Sequence, residues 1–369
     1  MRVLFLTNCP SPYRVAFFNE LSKYCDLTVL FEMEQAKNRS SEWKSDEQYQ
    51  FHGVYLKSLF QKQEGAFCPE ITKYIYEFRK DIIIVGGYST PTGMYSIIYM
   101  KIHHIPFILN SDGGLIKQDS FLKRKIKTYF IGAASYWLST GANCTKYLIH
   151  YGANADRIYE YPFTSIRENE IGSVSTEQKQ LLRAKHGIEE GKVILFVGSF
   201  IYRKGLDILL AACKDIEDTA VVLVGGNDIS QFVPTADIDY KCHIYIEGFK
   251  TGSEIKEYYQ MADVFVLPTR EDIWGLVVNE AMAVGLPVIT TDQCAAGMEL
   301  IQNDENGYVI LLDNMTMLIH KIENLLNDAK LMDHMSGQNV MKMKHYTIEK
   351  MAEQHECILE RIWYEKNRR

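Results

Sequence analysis

Short apolar runs bounded by turn residues, each followed by a stretch with helical periodicity, recur along this 369-residue chain, and halfway through the pattern begins again. In the first half the strand candidates are Val3–Leu6, Asp26–Phe31, Ile82–Val85, Pro106–Leu109 and Tyr136–Leu138. The helical segments between them are Val15–Lys23, Ile71–Arg79, Gly93–His103, Phe121–Phe130 and Cys144–Tyr151. The second half supplies Val193–Val197, Ala220–Val224, His243–Ile246, Val264–Leu267 and Pro287–Thr290 as strands. Strands alternating with helices are the pattern of a parallel sheet flanked by helices. Two doubly wound α/β, Rossmann-like domains are therefore expected, with ligands at the carboxyl ends of the strands, where two facing domains make a cleft. The first domain is expected over residues 1–165 and the second over 175–349. Phe163–Thr176 has no apolar periodicity and is rich in Ser, Glu and Asn, which reads as the linker. The last segment, Ile348–Trp363, is an amphipathic helix.

Composition narrows the function classes. With 47% apolar and 24% charged residues the chain can build two ordinary cores, and neither disorder nor a repeat array is suggested. A formal charge of -7 argues against a general nucleic-acid binder. No apolar run approaches the roughly 20 residues needed to cross a bilayer. The basic start at Met1–Arg2 turns polar at Thr7–Asn8, so it reads as a first strand rather than a signal peptide. The 8 cysteines are scattered without a Cys-x-x-Cys pair, which points to reduced thiols and a cytoplasmic protein.

The chemistry concentrates in Pro268-Thr-Arg-Glu-Asp-Ile-Trp-Gly-Leu-Val-Val-Asn-Glu280, followed by Ala-Met-Ala-Val-Gly-Leu-Pro-Val-Ile-Thr. Gly275 relaxes the backbone and Leu276-Val277-Val278 opens an apolar helix, so Asp272 belongs to the loop before it and Glu280 lies inside it. The start of that helix, at Gly275, Leu276 and Val277, offers backbone N–H groups and the positive dipole end to a phosphate. Two carboxylates beside an anion site would repel it unless they face neutral parts of the same ligand. A sugar nucleotide has such parts in its ribose and hexose hydroxyls. The bland alternatives are a helix cap for Asp272 and, for Glu280, a core-edge carboxylate paired with an arginine.

This segment resembles the nucleotide-sugar signature of retaining glycosyltransferase family 4, in which two carboxylates separated by seven residues precede a Gly-Leu-Pro-Val-Ile turn into a strand. The resemblance is strongest over residues 190–312 and implies the GT-B fold, with the terminal helix from about residue 350 packing back on the first domain. Asp272 stands where the family has Glu, one methylene longer, and Glu271 competes for that role. By resemblance Asp272 positions the donor hexose. The family's Arg after the first Gly is replaced by Ser199, for which Arg203 is read as the substitute.

After the strand ending at Val197 the chain reads Gly198-Ser-Phe-Ile-Tyr-Arg203-Lys204-Gly205, a strand, a glycine turn, two adjacent cations and a helix. That arrangement suits a diphosphate clamp, because Arg bridges two phosphate oxygens and Lys adds a point charge. Gly225-Gly226 and Glu247-Gly248-Phe249-Lys250 follow the next two strands, where the resemblance places the nucleoside, with Phe249 covering the base or offering its peptide groups; the bland alternative for Gly225-Gly226 is a strand-to-loop turn. An Asp237-Ile-Asp239 triplet resembles the metal motif of other glycosyltransferases but lies in a polar loop, so no metal site is expected. On the other wall, Ser11 ahead of Pro12 fits a helix cap, and Ser11, Tyr13 and Arg14 are candidates to reach donor or acceptor. Asp112, in a turn after the strand Pro106–Leu109, is a candidate to orient the acceptor hydroxyl or the donor sugar, or to accept the acceptor's proton, or simply to form an Asp-Gly turn. Phe121–Phe130 is basic and aromatic at helical spacing, and such a helix can rest on an anionic membrane surface.

The resulting expectation is a metal-independent retaining glycosyltransferase with no cofactor, moving a hexose from a nucleoside-diphosphate donor, a UDP-sugar first, to a hydroxyl of a glycan or lipid-linked glycan. Bacterial capsule, exopolysaccharide or O-antigen assembly is the setting the resemblance implies, in the cytoplasm with peripheral contact to the inner membrane face. The competing readings are a sugar-nucleotide epimerase of the same architecture and a catalytically silent sugar-nucleotide-binding partner protein.

Overall fold

The computed structural model describes residues 1–35, 45, 47–233 and 240–368. The chain divides into two compact units, one formed by Met1–Thr164 together with the residues from Thr347 onward, the other by Ser165–Tyr346. Asp237 and Asp239 lie outside the described residues.

The strands of the first unit are β1 (Arg2–Thr7), β2 (Asp26–Phe31), β3 (His52–Tyr55), a small antiparallel pair β4 (Phe60–Gln61) and β5 (Ala66–Phe67), then β6 (Ile82–Val85), β7 (Ile108–Ser111), β8 (Tyr136–Ser139) and β9 (Ile158–Glu160). Seven of them form one sheet in the order β3-β2-β1-β6-β7-β8-β9, with every neighbouring pair parallel. Helices α1 (Pro12–Leu21), α2 (Ile71–Glu77), α3 (Pro91–Ile102), α4 (Phe121–Ile131) and α5 (Ala142–His150) lie between the strands. Val3, Leu4, Phe5 and Leu6 are all buried, as expected of a central parallel strand covered by helices on both faces.

The second unit holds β10 (Lys192–Val197), β11 (Thr219–Val224), β12 (His243–Glu247), β13 (Val264–Leu267), β14 (Val288–Thr291) and β15 (Gly307–Ile310). Its sheet is also all parallel, in the order β12-β11-β10-β13-β14-β15. Helices α6 (Thr176–Lys185), α7 (Leu206–Cys213), α8 (Gly252–Met261), α9 (Leu276–Ala283), α10 (Ala295–Leu300), α11 (Met315–Asn327) and α12 (Ala329–Met343) surround it. The final helix, α13 (Ile348–Asn367), belongs to the first unit, where His355 packs its ring 4.7 Å from Phe17 of α1. Both units are doubly wound α/β domains. Each reverses strand order beside its first strand, between β1 and β6 and between β10 and β13, and such a reversal opens the crevice in which open α/β sheets bind ligands.

Several elements depart from the sequence expectation. The edge strands β3, β9 and β15 are not expected from the sequence: His52–Tyr55 and Ile158–Glu160 contain no buried residue, and Gly307–Ile310, though largely buried, opens on a glycine in a polar stretch. Strand β7 runs to Ser111, since Asn110 and Ser111 pair with Leu138 and Ser139. The expected turn is thereby shortened and Asp112 stands directly at the strand end. Helix α1 starts at Pro12 rather than Val15, the ring presetting the first helical φ. Finally, Phe163–Thr176 is not a loose spacer. Phe163 is buried against Tyr13 in the first unit, while in the second the Gly172 N–H donates to the Ala283 carbonyl at 3.0 Å.

Candidate functional site

In the second unit the turn after β10 and the loop after β13 flank the point where strand order reverses, and they are bound together. Gly205 adopts φ 74°, and a Cβ there would lie 1.9 Å from the Pro268 carbonyl oxygen, so only glycine lets the turn approach this closely. The Thr269 hydroxyl and the Arg270 N–H both donate to the Arg203 carbonyl, at 2.9 and 2.8 Å. Arg270 then forks onto Asp207 at 2.8 and 2.7 Å, with its guanidinium carbon 3.7 Å from the Tyr202 ring centroid. Arg270 was not singled out in the sequence. It is the brace that sets residues 202–207 against 268–272.

That brace brings Lys204 onto Asp272: the Lys204 ammonium donates to Asp272 Oδ2 in a largely buried ion pair. Arg203 turns elsewhere, donating to the Glu271 carbonyl from an exposed position. The two adjacent cations therefore diverge, and Lys204 alone joins the carboxylate. An ammonium has three N–H donors, so the contact with Asp272 leaves two to offer. Asp272 also lies at the head of α9. A Cβ on Gly275, whose φ is 104°, would sit 3.5 Å from its carboxylate and 2.9 Å from Cys294 Sγ. Gly275 is the N-cap of α9 and supplies no side-chain cap, while Leu276 and Val277 are half-buried in its first turn.

Glu280, one turn along α9, is half-buried. Its partners are two hydroxyls and not an arginine: Tyr259 donates to Oε2 at 2.7 Å and Ser165 to Oε1 at 3.0 Å. Burial raises its carboxyl pKa, and those two hydrogen bonds pull it back down. Burial also holds the Tyr259 hydroxyl well above its ordinary pKa, with Glu280 adding to the effect, so Tyr259 remains a donor. Gly198 closes β10, and a Cβ on Gly225 would meet its carbonyl oxygen at 2.5 Å. The ring against the Gly225-Gly226 turn is Phe200, 2.5 Å from a Cβ placed on Gly226. Phe249 is exposed in the loop after β12. Phe200 follows Gly198-Ser199 in the strand–turn segment, where nothing in the sequence marks it as facing a second turn.

In the first unit the carboxyl end of β7 presents Asp112, and its partner is Arg14 of α1. Both carboxylate oxygens accept from Arg14 Nη2, and Asn110 Nδ2 donates to Oδ1 at 2.8 Å. The arginine side chain is 5% exposed and that of Asp112 27%. Burial works against the Arg14 cation, but Asp112 outweighs it and the guanidinium stays charged. The rings of Phe5, Tyr13 and Phe163 surround it, with centroids 5.6 to 5.9 Å away. Ser11 is the N-cap of α1, as its sequence position suggests, yet its side chain makes no capping hydrogen bond.

Residues 178–340 match the model of the family glycosyl transferases group 1. An uncharacterized glycosyltransferase of Methanocaldococcus jannaschii is 31% identical over 266 residues, covering 71% of this chain and 70% of that protein. An uncharacterized glycosyltransferase of Haemophilus influenzae is 27% identical over 198 residues, 52% of this chain and 56% of the relative. A further Methanocaldococcus jannaschii relative is covered over 41% of its length and the Bacillus subtilis protein YtcC over 42%, so this chain spans about half the length, or less, of several curated relatives that it matches. Among solved structures, Anabaena HepE in complex with UDP superposes with a TM-score of 0.78 at 15% identity, over 98% of this chain and 100% of that one. At that identity the likeness shows the two-domain GT-B fold.

Proposed function

Because this chain belongs to the group 1 glycosyltransferases, we propose that it moves a hexose from a nucleoside-diphosphate sugar to a hydroxyl of a glycan or lipid-linked glycan, with retention at the anomeric carbon and no metal ion. A UDP-sugar is the first donor to test, since HepE was solved with UDP and with UDP-glucose. Bacterial capsule, exopolysaccharide or O-antigen assembly is the setting.

The observation that carries this reading is the joining of Lys204, Asp272 and the start of α9 at the point where strand order reverses in the second unit. A diphosphate there meets the first N–H groups of α9 and the two remaining donors of Lys204. Arg203 swings from the Glu271 carbonyl to assist. The carboxylates Asp272 and Glu280 accept from alcohols, hexose for the first and ribose for the second. As the bond from the anomeric carbon to the diphosphate oxygen breaks, negative charge grows on the leaving group, and preorganised donors stabilise that growth more than the ground state. The acceptor oxygen bonds the anomeric carbon, and its proton passes to the departing diphosphate oxygen. Asp112, held by Arg14 and Asn110, orients an alcohol of the acceptor.

Calorimetry and transfer assays with a panel of sugar nucleotides test the reading. Binding in the micromolar range with slow hydrolysis or transfer is expected, and Glu280→Ala and Lys204→Ala should each cost at least about a hundredfold in turnover, on the scale of charged hydrogen bonds lost. No uptake of any donor, or near-parental rates in both variants, would refute it. A silent binding protein, which Ser199 and Asp272 favour by departing from the family pattern, would bind donor tightly without turnover. An epimerase would interconvert the sugar without releasing it.

A further inference from the structure

Helix α4 is amphipathic in the opposite sense to an ordinary packed helix. At about 100° per residue, Phe121, Leu122, Lys125, Ile126 and Tyr129 fall within roughly 140° of arc, and Phe130, Lys127 and Ile131 lie on the other side. The structure buries Phe130 and Ile131 and leaves Phe121 73%, Leu122 68%, Ile126 43% and Tyr129 43% exposed. A surface helix normally turns such a stripe inward. Neighbouring α3 extends the patch, since Lys101 Nζ sits 3.9 Å from the Tyr129 ring centroid and Ile98 and Ile102 are exposed.

The charge on this face has one sign. Neither α3 nor α4 contains Asp or Glu, although the chain as a whole carries -7. The carboxylate just ahead of α4, Asp119, is turned inward with its side chain 3% exposed, held by Lys123, Lys127 and the Tyr151 hydroxyl. Lys125 Nζ lies 4.4 Å over the Phe121 ring, and Arg124 is exposed beside it. Aromatic and aliphatic side chains rimmed by cations, with no accessible acid among them, complement anionic headgroups over an acyl boundary. A two-fold contact with a second copy would instead set these cations against each other.

We propose that the α3–α4 face seats on an anionic lipid bilayer surface, with Phe121, Leu122 and Ile126 at the acyl boundary and Lys101, Arg124 and Lys125 on the headgroup phosphates. This goes beyond the nucleotide-sugar reading and uses none of its residues. The test is co-sedimentation of the full chain with vesicles of phosphatidylglycerol mixed into phosphatidylcholine, against phosphatidylcholine alone. Pelleting is expected only with the anionic vesicles. Arg124→Glu with Lys125→Glu should cut vesicle affinity at least about tenfold, and Phe121→Ser with Leu122→Ser should do the same. All four side chains are exposed, so melting temperatures should stay near parental. Equal pelleting on neutral and anionic vesicles, or parental binding by the folded charge-reversal variant, overturns the proposal. So does a Leu122→Ser variant that converts a dimer to a monomer while no vesicle binding is seen. UDP binding, measured separately, reports on the nucleotide-sugar reading alone.

Discussion

Each unit places a cation against a carboxylate at the carboxyl end of its sheet, but the two pairs are built differently. In the second unit Lys204 and Asp272 have side chains 14% and 10% exposed, so neither is the more accessible. In the first, Arg14 is sunk among aromatic rings at 5% and Asp112 rises to 27%. The first pair is a foundation with one outward-facing acid. The second is a matched pair at the head of a helix, in which neither side chain stands out from the other. Burial is therefore lopsided in the first pair, where the cation is fixed beneath its acid, and even in the second.

The largest effect should come from breaking the asymmetric pair on its exposed side. Asp112→Ala leaves Arg14 buried without a counter-ion and should destabilise the protein by about 3–5 kcal/mol. Arg14→Met leaves a carboxylate that water can reach and should cost only about 1 kcal/mol. Equal losses by denaturant unfolding would show that the asymmetry has no energetic content. In the second unit, Lys204→Ala and Asp272→Ala should differ little from each other in stability.

A smaller effect concerns a buried acid whose partners are a hydroxyl and a backbone N–H. Glu32, at the end of β2, accepts from the Thr90 hydroxyl and the Ala66 N–H. Burial lifts its carboxyl to about 7 from 4.5, with those hydrogen bonds opposing the shift. The native state then holds a proton that the unfolded chain has released. The associated stability is fully present below the unfolded value and is lost as pH rises through about 7, up to about 3 kcal/mol. Glu32→Gln should remove this slope, so its melting temperature should gain on the parent between about pH 5 and pH 8. A constant difference across that range would show that Glu32 stays ionised in the native state.

The smallest effect is at Ser11. Its side chain does not cap α1, so Ser11→Ala should change stability by less than about 0.5 kcal/mol. At Thr90, whose hydroxyl accepts from the Gly93 N–H at the start of α3, the same replacement should cost about 1 kcal/mol. If Ser11→Ala nevertheless weakens donor or acceptor binding, its role is in recognition rather than folding.

Sequence and structure agree best where the signal is local. Fully buried strand segments such as residues 27–31 and Val264–Leu267 are legible because an apolar run closed by turn residues has few other uses. The motif from Pro268 to Glu280 was legible because Gly275 and the apolar run after it mark a helix start. Short edge strands were missed, since half-exposed segments such as His52–Tyr55 need no apolar pattern. The segment after Phe163 read as a spacer because a serine among polar residues does not reveal that it will meet Glu280 across 115 positions.

The alternation of apolar runs and helical periods by itself determined two doubly wound domains, because hydrophobic patterning of period two or 3.6 specifies which local structure can be buried. Only the tertiary structure decided who partners whom: Tyr259 and Ser165 on Glu280, Arg270 as the brace between two loops, Arg14 beneath Asp112, and an apolar stripe on α4 turned outward. Those pairings depend on the positions of strand ends far apart in the chain. Desolvation makes each of them matter, since a charged group removed from water must find a partner wherever the sheet order puts one.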